Sequence, residues 1–196
     1  MPKIVDHDAR RQQVTAAAAA VIARDGLDGA TMRAVATEAG CTTGLVTHYF
    51  AGRSELLIAV LQQVQGAAGD RIGAHLRGVA RPGDALTAVV MEALPLDQAR
   101  RDEWAVWIAF WGAAVGSPDL RAEHRRRYHD WRGLVRRLVV DAAAHGTVRP
   151  GLDLRSEADR LVALIDGLGL QAMLEPEVVG PRRMRALARA HLASLA

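Results

Sequence analysis

The sequence predicts an all-α protein, and three observations predict it. Ala and Leu abound in the 196 residues while aromatic residues make up only 4%, a composition that favours helices. Apolar residues recur at i, i+3, i+4 and i+7 along most of the chain, and no stretch alternates in the way of a strand. Glycine and proline fall between the periodic stretches, where helices would stop and start. Counting those stretches gives about nine helices.

Helix 1 is expected over about 8–25, with Val14, Ala17, Ala18, Val21 and Ile22 on one face and a break at Gly26. Helix 2 follows Thr31, which is placed as its N-cap, and buries Met32, Val35, Ala36 and Ala39. Gly40 supplies the left-handed residue that ends it. Thr42 then caps a short helix 3 whose Val46 and Phe50 point inward. Helix 4 starts near Ser54, buries Leu57, Val60, Leu61 and Val64, and extends to about 76. Arg81-Pro82-Gly83-Asp84 opens helix 5, and Pro95 and Gly116-Ser117-Pro118 bracket a tryptophan-rich helix 6. Helix 7 runs from about 119 to Gly146, followed by helices over about 155–174 and 181–195. The expected division is 1–53, a connecting helix 54–76, and 77–196.

Residues 31–50 are the most informative stretch. With Val46 and Phe50 turned inward, helix 3 presents Thr43, Gly44, Leu45, Thr47, His48 and Tyr49 outward. Hydroxyls, an imidazole, a phenol and a glycine on one short helix suit the major groove of DNA, and the pair of helices reads as a helix-turn-helix. Charge adds little. The net charge is 25 − 22 = +3, and residues 1–60 carry six basic and six acidic side chains. The denser basic run, seven arginines from Arg121 to Arg137 against Glu123 and Asp130, reads as the solvated face of a long helix.

Gly40-Cys41-Thr42-Thr43-Gly44-Leu45-Val46-Thr47-His48-Tyr49-Phe50, then Arg53 and Leu56-Leu57, resemble the signature of TetR-type transcriptional repressors. Trp104-Ala105-Val106-Trp107-Ile108-Ala109-Phe110-Trp111, Tyr128 with Trp131, and Ile165-Asp166-Gly167-Leu168 are similar to the choline-responsive BetI branch. The resemblance implies an N-terminal three-helix DNA-binding bundle followed by a helical ligand-binding and dimerisation part. It assigns DNA contacts to Thr31, Arg33, Thr42, Thr43, Gly44, Thr47, His48, Tyr49 and Arg53, with Gly44 letting the backbone approach and Arg53 and Arg33 at phosphates. The chain departs from the commonest pattern at Cys41, often valine, at Thr47, often tyrosine, and at Gly169, where the branch commonly has tryptophan.

Trp104, Trp107 and Trp111 fall within roughly 60° of each other on helix 6, and Tyr128 and Trp131 follow on helix 7. These five are the candidate ligand lining. Facing aromatic stripes can cage a quaternary ammonium by cation–π attraction, with Asp130, Asp166 or Glu92 as counter-charge; a small residue at 169 would enlarge such a cavity. Residues 161–172 are apolar nearly all round, so a homodimer interface is expected at Leu161, Ile165, Leu168 and Ala172, with Leu187 from the last helix. Helix 4, joining the two parts, is the expected lever for ligand response.

Other classes find little support. The histidines do not cluster in metal-ligand spacing, no phosphate-binding glycine loop or nucleophile elbow occurs, and no cofactor is expected. One cysteine excludes an internal disulfide and reads as a structural thiol. No apolar run reaches a membrane span, and Met1–Asp8 lacks a signal-peptide layout. The expectation is a cytoplasmic repressor that binds a palindromic double-stranded DNA operator as a homodimer. A small-molecule inducer, choline or another quaternary ammonium compound, releases it. A helical small-molecule-binding enzyme or carrier is the alternative.

Overall fold

The computed structural model describes residues 7–78 and 81–196. Residues 1–6, most of the Met1–Asp8 stretch read as lacking a signal-peptide layout, lie outside the described residues. Among those described there are nine helices and no strand: α1 His7–Gly29, α2 Met32–Glu38, α3 Thr43–Tyr49, α4 Arg53–Gly78, α5 Pro82–Glu92, α6 Gln98–Gly116, α7 Pro118–Ala144, α8 Leu154–Leu174 and α9 Pro181–Ala193. The break expected in α1 is real, since Gly26 sits at φ 72°, outside helical space.

The turn between α2 and α3 follows from its residues. Thr31 Oγ1 accepts from the Ala34 amide at 3.1 Å, and Thr42 Oγ1 accepts from the Leu45 amide at 3.3 Å, so both helices begin on a side-chain cap. Gly40 adopts φ 61°. Its amide donates to the Thr37 carbonyl at 3.2 Å and the Cys41 amide to that of Ala36 at 2.9 Å, the paired bonds that satisfy the last carbonyls of a helix ending in a left-handed residue.

The chain divides into two compact units. The first comprises residues up to Gly66 together with Ala105–Arg121; the second comprises Ala67–Trp104 and Ala122–Ala196. These are not the contiguous blocks 1–53, 54–76 and 77–196 read from the sequence. Val106, Phe110, Ala114 and Leu120 join Val14, Val21, Val35, Val46, Phe50, Leu57, Val60 and Leu61 in one apolar core, and that burial carries most of α6 into the first unit. Cys41 is only half-buried at the edge of this core. In the second unit α9 lies against α5 and α8. Asp153 caps α8 through the Arg155 and Ser156 amides at 3.1 and 3.3 Å.

Two glycines should respond oppositely to alanine. Gly40→Ala forces a Cβ into left-handed backbone and should cost about 1–2 kcal/mol. Gly66 is inside α4 with nothing within 4 Å of a Cβ built on it, so Gly66→Ala should gain about 1 kcal/mol. Urea unfolding followed by circular dichroism checks both signs.

Candidate nucleic-acid interface and aromatic cluster

The surface of α3 is set by what α3 buries. Val46 and Phe50 are inaccessible to solvent, and Arg11 lies over the Phe50 ring with its guanidinium carbon 4.8 Å from the centroid. Turning those two residues inward leaves Thr42, Thr43, Gly44, Thr47 and His48 exposed on one side. Thr47 Oγ1 donates to the carbonyls of Thr43 and Gly44 at 3.2 and 3.1 Å, which uses its proton and leaves its lone pairs outward. A Cβ at Gly44 would meet only Thr42 Oγ1, at 3.9 Å, so the backbone there is open to a close neighbour.

Tyr49 is half-buried, and its Oη is 3.1 Å from His7 Nδ1 in a hydrogen bond that the motif alone does not announce. The same ring meets His48 edge-on at 5.2 Å. Thr31 and Arg33 are exposed on and before α2. Arg53 is less free than its position suggests: it donates to the Leu27 carbonyl and to Asp28 Oδ1 at 3.1 Å. The first turn of α4 is thereby tied to the end of α1. Gln13 Nε2 similarly donates to the Ala39 carbonyl at 2.9 Å and fixes α1 against the end of α2.

The five aromatic residues expected in one lining do not all fall in one unit. Trp107 and Trp111 are half-buried against the first unit's apolar core, their ring centroids 6.2 Å apart. Trp104, Tyr128 and Trp131 belong to the second unit. Trp104 is 7% exposed, and its Nε1 donates to the Ala93 carbonyl at 3.0 Å. Its indole lies directly on Gly169: a Cβ built there would stand 2.0–2.4 Å from three ring carbons. The missing side chain at 169 therefore does not enlarge a cavity, because Trp104 fills the space.

One turn before Gly169 on α8, Asp166 Oδ1 accepts a 3.0 Å hydrogen bond from Tyr128 Oη. Burial pushes the Asp166 carboxyl up to about 6, against the pull of the Tyr128 hydroxyl and Arg132. Burial, reinforced by Asp166, likewise pushes the Tyr128 hydroxyl up. The His124 ring stacks on Tyr128 at 4.2 Å, and burial followed by the Arg132 charge holds its pKa down. Arg132 covers Tyr128 with its guanidinium carbon 5.4 Å from the ring centroid. Of the other suggested counter-charges, Asp130 is exposed and Glu92 is committed to ion pairs. Trp131 is half-buried. Among the described residues no cluster of three His, Cys, Asp or Glu is placed to hold a metal.

The residues expected to meet a second copy are instead inside their own protomer. Leu161 and Ala172 are wholly buried, Ile165 and Leu168 are 2% and 8% exposed, and Leu187 is half-buried. An α8 that is apolar all round satisfies its own core with that half. The other half presents Ala163, Gly167, Leu170 and Leu174 outward, with Leu174 at 69% exposure.

Comparison with known proteins places this geometry. The family described as BetI-type transcriptional repressor, C-terminal, matches residues 82–196, and the tetR family of bacterial regulatory proteins matches residues 14–60. The HTH-type transcriptional regulator PksA of Bacillus subtilis (strain 168) is 33% identical over 196 residues, covering 100% of this chain and 94% of its own. The HTH-type transcriptional regulator BetI 2 of Chromohalobacter salexigens is 32% identical over 197 residues, covering 100% and 92%. A transcriptional regulator of Saccharomonospora viridis solved in complex with choline superposes with a TM-score of 0.87 at 27% identity, covering 93% of this chain and 95% of that one.

Asp166 generates a pH prediction. Its folded pKa lies above its ordinary 3.8, so the folded state holds the proton more tightly. That contribution is present in full below about pH 4 and lost as pH rises through about 6. Asp166→Asn keeps an acceptor for Tyr128 without the buried charge. It should be more stable than the parent chain near pH 7.5 by on the order of 2 kcal/mol, an advantage that closes as pH falls towards 4. Thermal unfolding across that range measures it.

Proposed function

The chain belongs to the TetR family of bacterial regulatory proteins, with a C-terminal part of the BetI-type transcriptional repressors, and from that premise we propose that it grips an inverted-repeat operator as a homodimer and lets go when a small cation binds. Its relatives are transcriptional regulators rather than enzymes, which sets aside the enzyme-or-carrier alternative. The observation that carries the DNA reading is the exposed row Thr42, Thr43, Gly44, Thr47 and His48, held outward by the burial of Val46 and Phe50. These residues would read base edges, while Thr31, Tyr49, Arg33 and Arg53 position the helix on the backbone. Repression then takes place where the chromosome is, in the cytoplasm. No described helix is long and apolar enough to cross a membrane.

The expected partners are the double-stranded operator, a second copy of the chain, and the effector. A second copy fits the outer face of α8. Ala163, Gly167, Leu170 and Leu174 form an exposed apolar row whose small members leave room for a close neighbour. A two-fold pair would set its recognition helices about 34–36 Å apart, or a multiple of that, which makes the operator palindromic. The effector is proposed to be a quaternary ammonium compound. Choline occupies the Saccharomonospora viridis neighbour, and here a half-buried carboxylate, Asp166, accepts from Tyr128 and precedes by one turn the Gly169 on which Trp104 rests. Carboxylate and aromatic faces together suit a desolvated cation. Trp104 and Tyr128 are each 7% exposed, so entry requires them to move.

A gel-shift with DNA from upstream of the coding region tests the DNA reading, and Arg33→Ala should lower the slope of log affinity against log salt by about 1. An unchanged slope would remove Arg33 from the backbone contacts, and no shift by the parent chain would remove the operator. Leu170→Arg or Leu174→Arg should yield monomers in analytical ultracentrifugation and abolish the shift. Tryptophan fluorescence titrated with choline chloride should saturate and should fail to do so in Asp166→Asn; a response only to neutral or anionic compounds would rule out the cation.

A further inference from the structure

The two halves of α4 are held by different forces. Its buried residues, Leu56, Leu57, Ala59, Val60, Leu61 and Val64, all precede Gly66. From Gly66 to Gly78 no residue is buried, and glycine stands at 66, 69, 73 and 78. Nothing lies within 4 Å of a Cβ built on Gly66, Gly69 or Gly78, so no neighbour packs closely there. Each helical glycine also adds backbone freedom that the helix must suppress. Left to apolar contact alone, this half-helix would have little to fix it.

Charge fixes it. Arg71 Nε donates to Glu92 Oε1 at 2.6 Å, and its two terminal nitrogens donate to Glu103 Oε1 and Oε2 at 2.8 and 2.7 Å. His75 Nε2 lies 3.3 Å from Glu92 Oε2, and Arg100 reaches the same oxygen at 3.2 Å. The Glu92 side chain is only 8% exposed and that of Glu103 18%. Leaving a carboxylate this sheltered without its partner is costly, so the clamp is strongly directional. It spans the second half of α4, the end of α5 and the start of α6. Glu103 and Glu92 are also the chain neighbours of Trp104 and Ala93, which are joined by their own 3.0 Å hydrogen bond.

We propose that Arg71 is a positioning residue for DNA binding: its double ion pair fixes the second half of α4, and through that continuous helix it sets how tightly the chain holds its operator. The role of Arg71 rests on the operator-binding reading above, and no other residue of α4 beyond Val64 combines burial of its partners with bidentate geometry of this kind among the described residues.

The test uses the full-length chain with Arg71→Gln, Arg71→Lys, and the charge swap Arg71→Glu with Glu103→Arg. Hydrogen exchange is read separately over residues 56–64 and 67–78, and operator affinity is read by fluorescence anisotropy on a duplex from the upstream region. Arg71→Gln should speed exchange over 67–78 and weaken operator binding about tenfold, with 56–64 unchanged and the dimer intact. Arg71→Lys should recover part of both losses, and the charge swap should recover part of the affinity, which general destabilisation would not. Faster exchange at unchanged affinity would overturn the proposal by reducing Arg71 to a local tie, as would no change in either readout. If the parent chain binds no DNA from that region, the operator reading fails instead, and the exchange arm alone decides whether Arg71 holds α4.

Discussion

A helix of seven residues such as α3 is too short to persist in water by its own hydrogen bonds. Its existence and its orientation both depend on burying Val46 and Phe50 in the core built by α1, α2, the first half of α4 and the later part of α6. Loss of the Phe50 ring from that core would cost roughly 3–5 kcal/mol. The remaining devices refine a position that this burial creates. Thr42 caps the helix, Gly40 turns the chain into it, and Gln13 and Arg53 tie its neighbours to α1. The outward row is thus a consequence of the inward pair, and the chemistry α3 presents at the surface follows from packing.

The second unit is organised differently, with polar and charged groups kept inside. Glu92, Glu123, Arg127 and Glu157 have little exposure, and Asp166 and Tyr128 share a partly buried hydrogen bond. Such groups contribute less to net stability than apolar packing of the same volume would. Under the proposed reading, a cation placed beside Asp166 would offset a desolvation cost already present in the folded state. A regulator needs that property: an interior whose energy changes when a ligand arrives.

The helix-turn-helix was legible because local signals carry it. Caps at Thr31 and Thr42, the left-handed Gly40 and a single buried face are all readable over twenty residues of sequence. The α8 interface was misread at residue level because both halves of that helix are apolar, and periodicity then cannot say which half meets its own core. The tryptophan stripe divides for a related reason. A helix shared between two compact units turns residues three apart into different environments, so Trp104 and Trp107 part company. Gly169 looked like a gap, yet the group that fills it comes from a residue 65 positions earlier in the chain, 169 − 104. The Arg71 clamp, likewise, joins carboxylates 21 and 32 residues away, and no local pattern marks such a pairing.

The central claim is that the exposed face of α3 reads DNA sequence, and selection from a random duplex pool tests it most directly. The full chain should enrich an inverted repeat, and Thr43→Ala should change base preference at one symmetric pair of positions while leaving the rest of the repeat intact. Enrichment of no motif, or of the same motif by both proteins with His48→Ala and Thr47→Ala also without effect, would contradict the assignment of α3 as the reading helix.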